Sequence, residues 1–189
     1  ALFGYGGHAR EVACQIDKKI TFFVDDKYVN NIAKPISEFN PKKYLMMVAV
    51  ADSKDRADIV NKLPKETSYF TFIHQSVKIM DNNIKIGEGS FIGVNSILTV
   101  NIKIGKHTLL NRGNHIGHDC TIGDYFSMMP GAILSGDVNV EDQVYMGTNS
   151  SIKEKLNICS NSIIGMNSCV VKNINISGVY VGTPSKILL

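Results

Sequence analysis

None of the four cysteines, at positions 14, 120, 159 and 169, stands in a C-x-x-C pair, which excludes zinc-knuckle and dithiol redox motifs. With no cysteine framework and no secretory leader, the chain reads as cytoplasmic and reduced. Its opening, ALFGYGGHAR, lacks a basic leader and a long apolar core, and reads as a strand entered part-way. No apolar run approaches the roughly 20 residues that span a bilayer, so no membrane partner is expected. The net charge of +3 is too small to argue for nucleic acid, and no dense Lys/Arg tract is interleaved with aromatics. Apolar residues make up 44% of the chain, enough for a packed core, so disorder is not expected.

What is present falls into two halves with different patterning. Residues 1–75 read as strands alternating with helices, the pattern of a small Rossmann-like parallel sheet. LF opens a strand, GYGGHAREVACQIDK turns into an amphipathic helix, and ITFFVDD is a strand ending in two acids. YLMMVAVA is a continuous apolar run suited to a strand buried on both faces, and SKDRADIVNKL is a helix with a Ser or Asp cap. YFTFI is read as the last strand of this α/β unit.

Residues 76–189 follow a six-residue period instead. Stepping by six from Met80 to Ile176, every position is aliphatic or Met, without a gap. A generic two-sided sheet does not hold such a phase. Glycine often follows, at 87, 93, 105, 117, 123, 147 and 165, and suggests a positive-φ turn at each corner. Two residues before the aliphatic, the side chain is usually small, as at Ser90, Ser96, Thr108 and Asn114. Every third such position is larger: Ile84, Ile102, Cys120, Val138, Leu156 and Ile174. Three hexads therefore make one coil, and stacked coils make a triangular prism of parallel strands. Asn83, Asn101, Asp119, Asp137, Lys155 and Asn173 form the adjacent column.

The stretch NHIGHDCTIGDY, residues 114–125, admits three chemistries: a metal site, a Cys-His nucleophile pair, or a histidine general base. Cys120 lies on the inward column with Ile102 and Val138, which favours a small core residue over a nucleophile. A metal needs three or four convergent ligands, and His115, His118 and Asp119 would converge only at a sharp fold. His118 follows Ile116 and Gly117, so it sits just past a corner and points outward. A base near neutral pKa is what acyl transfer to an amine or hydroxyl requires, and Asp119 is the nearest carboxylate to orient it. The bland alternative is a solvated corner histidine.

The hexads IGEGSF, IGKHTL and IGDYFS, and the closing GVYVGTPSKIL, resemble the left-handed parallel β-helix of hexapeptide-repeat acyltransferases. With GYGGHAREV and FVDD in an N-terminal α/β unit, the chain is similar to the branch that acetylates sugars. That branch includes bacillosamine and perosamine N-acetyltransferases and sialic acid O-acetyltransferase-like proteins. The resemblance implies acetyl-CoA as co-substrate, no metal, and a homotrimer with the donor between neighbouring prisms. It implies His118 as catalytic base with Asp119 beside it. Eighteen residues on, Gly136 would leave room for the thioester and offer an oxyanion N–H, unless it is merely another corner. Gly147 and Gly165 are assigned with it to the acetyl-CoA side. Nine residues after the catalytic His these N-acetyltransferases often have a second His that contacts the donor; here that position is Ser127, which is assigned with Gly136 to the acetyl-CoA side.

The stretch GYGGHA fits G-x-G-x-x-A after a strand, with Asp25 and Asp26 ending the next strand. That suggests a phosphate-cradling turn plus an acid for a ribose or base, formed by Gly4, Gly6, Gly7, His8, Arg10, Asp25 and Asp26. A glycine turn that only packs helix on sheet is the alternative. The unit is too short for a complete NAD site, so a single nucleotide of a sugar substrate is expected, with His115 a secondary neighbour of the sugar. The leading expectation is acetyl transfer to the amine of a nucleotide-linked amino-sugar. The rivals are O-acetylation of sialic acid or a related sugar, a non-catalytic nucleotide-sugar-binding solenoid, and a γ-carbonic-anhydrase-like zinc enzyme using His107, His115 and His118.

Overall fold

Short apolar runs between polar turns build the first unit of the computed structural model, which describes residues 1–188. The elements in chain order are β1 (Leu2–Phe3), α1 (Gly7–Ala13), β2 (Phe22–Val24), β3 (Lys34–Pro35), β4 (Met47–Val48) and α2 (Ser53–Lys62). The strands pair in parallel in the order β3-β2-β1-β4, so the sheet order reverses at β1. Helix α2 begins where its sequence allows: the Asp52 carboxylate accepts the Asp55 N–H at 2.8 Å. Buried Leu2, Phe23 and Met47 come from β1, β2 and β4, and Ala9 and Val12 are the buried face of α1.

The expected last strand of this unit divides. Tyr69 bridges Met46 in the α/β sheet, whereas Phe72–Ile73 pairs in parallel with Phe91–Ile92. YFTFI is thus not one strand of the first unit; its second half is the first rung of the solenoid.

From there the hexads become two-residue strands in three parallel sheets. Lys85, Lys103, Thr121, Asn139 and Asn157 stack eighteen residues apart in the first sheet. Lys78, Ile97, His115, Ile133, Ser151 and Cys169 stack in the second. Phe91, Leu109, Ser127, Tyr145 and Ile163 stack in the third. This is the triangular prism that the period implied, the left-handed parallel β-helix that the resemblance implied. Leu98, Leu110, Ile116, Met128, Met146 and Ile164 are fully buried along its axis, with Ile102, Cys120 and Val138 among them. The aliphatic phase runs past the packed region at both ends, because Met80 and Ile176 are exposed.

The corner glycines differ from expectation. None of Gly87, Gly93, Gly105, Gly117, Gly123, Gly147 or Gly165 has positive φ. The left-handed residues come two positions later and are mostly Asn or Asp, among them Asn101, Asp119, Asp137, Asn149 and Asn161. Short polar side chains tolerate that region better than others do. The glycines answer a different constraint. A Cβ on Gly117 would lie 2.7 Å from the Gly136 backbone nitrogen, so successive coils can stack at this spacing only without a side chain there.

The three faces differ in what covers them. Phe91, Leu109 and Ser127 are buried beneath the α/β unit, packed with Leu2, Ala9, Val12, Met47 and Ala49. The sheet of Lys85, Lys103, Thr121, Asn139 and Asn157 is polar and solvated. The sheet of Ile97, His115 and Ile133 carries exposed apolar side chains, Ile133 at 42% and Val100 beside it at 49%.

Candidate active site

His118 stands on the corner between the polar sheet and the sheet of Ile97 and Ile133, the vertex opposite the face that the α/β unit covers. Its side chain is 66% exposed and that of Asp119 is 50% exposed. His118 Nδ1 lies 2.7 Å from Asp119 Oδ2. The other carboxylate oxygen, Oδ1, accepts the Asn101 side-chain N–H at 2.7 Å. The amide of Asn101 and the imidazole of His118 together hold the Asp119 carboxyl below the ordinary carboxylate range. With a proton on Nδ1 directed at Asp119, Nε2 is left with a lone pair.

That lone pair lies beside Gly136. A Cβ placed on Gly136 would collide with the His118 ring, meeting Nε2 first. Gly136 is itself buried, its carbonyl accepts from Lys155 N at 3.1 Å, and its N–H donates to no backbone carbonyl among the described residues. The eighteen-residue step therefore brings His118, Asp119 and Gly136 together. Cys120 is fully buried and its Sγ–H points to the Ser135 carbonyl at 3.1 Å; burial pushes the thiol pKa up, away from nucleophile chemistry. His115 is exposed on its strand between Ile97 and Ile133.

Other expected contacts are placed elsewhere. Ser127 is fully buried; its Oγ donates to the Ala51 carbonyl at 2.7 Å and accepts from Arg56 at 2.8 Å. It joins the two units, and its hydroxyl is not open to an acetyl donor. Gly147 and Gly165 stack on one another at a different corner, where a Cβ on Gly147 would lie 2.9 Å from the Gly165 carbonyl carbon. His107 is buried between rings, edge-on to Tyr69 at 4.5 Å and stacked on Tyr125 at 5.3 Å. Burial lowers its pKa to about 4. It cannot join His115 and His118 at the surface as a zinc ligand. Among the described residues, no group of three or more His, Cys, Asp and Glu side chains is arranged to hold a metal within one protomer.

Arg56, which sequence patterning did not single out, ties the α/β unit to the solenoid. It is 1% exposed on α2, and burial lowers its guanidinium pKa to about 9, still protonated at neutral pH. Nε donates to the His107 carbonyl at 2.8 Å, and one terminal nitrogen donates to the Val50 carbonyl at 2.6 Å. The other donates to Tyr125 and Phe126 carbonyls at 2.7 and 3.0 Å, besides Ser127 Oγ. One side chain thus joins the α/β unit to two successive coils.

The second candidate site is a cavity of about 310 Å³ that opens at the carboxyl ends of β1 and β2. Phe3, Gly4, Gly6, Asp25, Tyr28 and Asn30 line it, with Val50 from the segment after β4. This is the crevice where open parallel sheets bind ligands. Gly4 has φ of 108° and turns the chain from β1 toward α1, while a Cβ on Gly6 or Gly7 would meet nothing. The lining does not include Gly7, His8, Arg10 or Asp26. His8 Nε2 is buried without a partner, and burial lowers the ring's pKa. Asp26 is turned to the Ser37 N–H and hydroxyl at 3.3 and 3.2 Å. Arg10 is exposed on α1.

Residues 1–63 match the family described as the PglD N-terminal domain. The chain is 30% identical to WeeI from Acinetobacter baumannii AYE, covering 99% of this chain and 98% of that one with a TM-score of 0.89. It shares its fold with a perosamine N-acetyltransferase variant from Caulobacter crescentus in complex with CoA and GDP-perosamine, at 21% identity, 99% and 95% coverage and TM-score 0.87. It shares it also with the acetyltransferase domain of PglB from Neisseria gonorrhoeae FA1090 in complex with acetyl coenzyme A, at 22% identity, 99% and 97% coverage and TM-score 0.84. No curated protein sequence matches the chain.

Proposed function

The chain belongs with WeeI to the sugar-acetyltransferase branch of the hexapeptide-repeat acyltransferases, and on that premise we propose that it transfers acetyl from acetyl-CoA to the amine of a nucleotide-linked amino-sugar. The observation that carries the reading is the 2.7 Å contact from Asp119 to His118 Nδ1, which leaves Nε2 free beside side-chain-less Gly136. The amine nitrogen attacks the thioester carbonyl as its proton passes to His118 Nε2. The carbon–nitrogen bond forms, and the resulting oxyanion is met by the Gly136 N–H. The carbon–sulfur bond then breaks, and the thiolate takes up the proton from the imidazolium. Asp119 keeps the ring oriented and stabilises its charged form.

The crevice at Gly4, Gly6 and Asp25 holds the nucleotide, with Asp25 as acceptor for ribose or base hydroxyls. Its volume suits one nucleoside and its phosphates, not a dinucleotide. Within one protomer this crevice rides on the face opposite the His118 vertex. A sugar held there meets His118 of a second copy. The half-apolar sheet of Ile97 and Ile133 supplies the surface for that association. A homotrimer with shared sites satisfies both requirements. The protein relatives solved with CoA, GDP-perosamine or acetyl coenzyme A support the same donor and acceptor class.

The rival O-acetylation of a free sugar needs no nucleotide. Calorimetric titration of the full chain with nucleoside diphosphates separates the two. Heat of binding that disappears in Asp25→Ala is expected. Absence of binding by every nucleotide, with heat from free sialic acid, overturns the nucleotide-linked acceptor.

A further inference from the structure

Asp119 is held from both sides, and only one of its partners is the histidine. Its Oδ2 faces His118, and its Oδ1 takes the side-chain N–H of Asn101, one coil below, at 2.7 Å. Asn101 is fixed in turn. Its backbone N–H donates to Asp81 Oδ2 at 2.9 Å, while Asp81 Oδ1 accepts the Asn83 N–H at 3.0 Å. Asn101 has φ of 53°, in the left-handed region. There asparagine is among the few residues accepted with little strain, and its short amide reaches the next coil. Asp81, Asn101, Asp119 and His118 thus form a string of hydrogen bonds rising along one vertex of the prism over three coils.

A carboxylate with one free oxygen can rotate about χ2 and present either oxygen, or neither, to the imidazole. Asn101 removes that freedom by occupying Oδ1. We propose that Asn101 is a positioning residue for the transfer, acting through Asp119 to fix the plane and tautomer of the His118 ring. The inference rests on the reading of His118 as the base. It does not extend to acetyl-CoA or nucleotide binding, because Asn101 reaches neither Gly136 nor the crevice.

Two variants separate positioning from folding. Asn101→Gly deletes the amide and relaxes the left-handed backbone. Asn101→Asp keeps the size and the backbone tolerance but replaces the donor with a second carboxylate. Steady-state kinetics are measured for both across pH, beside His118→Ala and with thermal midpoints. The expected result is a kcat lowered about tenfold in each, a fraction of what a general base contributes. KM for acetyl-CoA stays within about twofold, as for an interaction made only in the transition state, and thermal midpoints are unchanged. In Asn101→Asp the acid limb of the kcat profile moves to higher pH, because a second carboxylate favours the imidazolium. Unchanged kcat and pH limb in both variants, with His118→Ala inactive, overturns the role of Asn101 and leaves the base in place. A kcat loss that follows a lowered midpoint and a raised KM also overturns it, as a purely structural effect. Full turnover by His118→Ala removes the base reading itself, and the inference falls with it.

Discussion

Replacing His118 by alanine is expected to lower kcat for acetyl transfer by roughly 10²–10⁴-fold, the usual contribution of a general base. The side chain is 66% exposed on one protomer and its ring makes a hydrogen bond only to Asp119, so its removal leaves the prism packing unchanged. The thermal midpoint should therefore stay at its wild-type value. KM for acetyl-CoA should change little, because truncation opens space beside Gly136 and removes no donor-binding group. The paired measurements are initial rates of thiol release and a thermal melt of the same preparation. Turnover near the wild-type value sinks the assignment of His118 as base, whatever the melt shows.

The second large effect concerns stability. Arg56 supplies five or more donor contacts from a side chain that is 1% exposed, linking α2 to the carbonyls of His107, Tyr125 and Phe126. Substituting methionine keeps much of the stem volume but leaves the His107 and Tyr125 carbonyls without that donor, while the Phe126 carbonyl keeps only the Leu109 N–H. Breaking such a buried, charged network costs roughly 3–5 kcal/mol. For a chain of this size the thermal midpoint should fall by roughly 6–20 °C. Lysine should not restore it, because a single ammonium cannot span acceptors on two coils and on the end of β4 as the guanidinium fork does. Calorimetric melts of Arg56→Met and Arg56→Lys provide the check. A midpoint within about 2 °C of wild type would show that the apolar contact of Phe91 and Leu109 with the α/β unit holds the two together without the arginine.

The solenoid could be read from the sequence because its constraint is periodic. An inward aliphatic every six residues and a larger side chain every eighteen survive as fully buried columns in the structure, from Leu98 to Ile164 and from Ile102 to Val138. The same step placed Gly136 against His118 and Asn101 beneath Asp119, so most of the vertex was legible before any coordinates. The role of the corner glycines was not. Glycine signals either positive φ or close approach, and only geometry separates the two; here the left-handed turns went to residues such as Asn101 and Asp119.

Contacts between the two units were equally illegible. Ser127 lies 76 residues from Ala51 and 71 from Arg56, and no local pattern records those bonds. Its position nine after His118 suggested a donor contact, but docking of α2 buries it. The G-x-G-x-x-A turn was found correctly as a turn. The crevice is lined by Gly4, Gly6 and Asp25 and not by Gly7, His8, Arg10 or Asp26, because a motif fixes the backbone path and not which side chains border the crevice.

The central claim is acetyl transfer to the amine of a nucleotide-linked amino-sugar, and thiol release by the purified wild-type chain tests it most directly. Acetyl-CoA is supplied with a panel of UDP-, dTDP- and GDP-linked amino-sugars, and with free sialic acid as the O-acceptor control. The account predicts thiol release matched by N-acetylated product with at least one nucleotide-linked amino-sugar, and none with the free sugar. Release only with sialic acid, or with no acceptor at all, would contradict it.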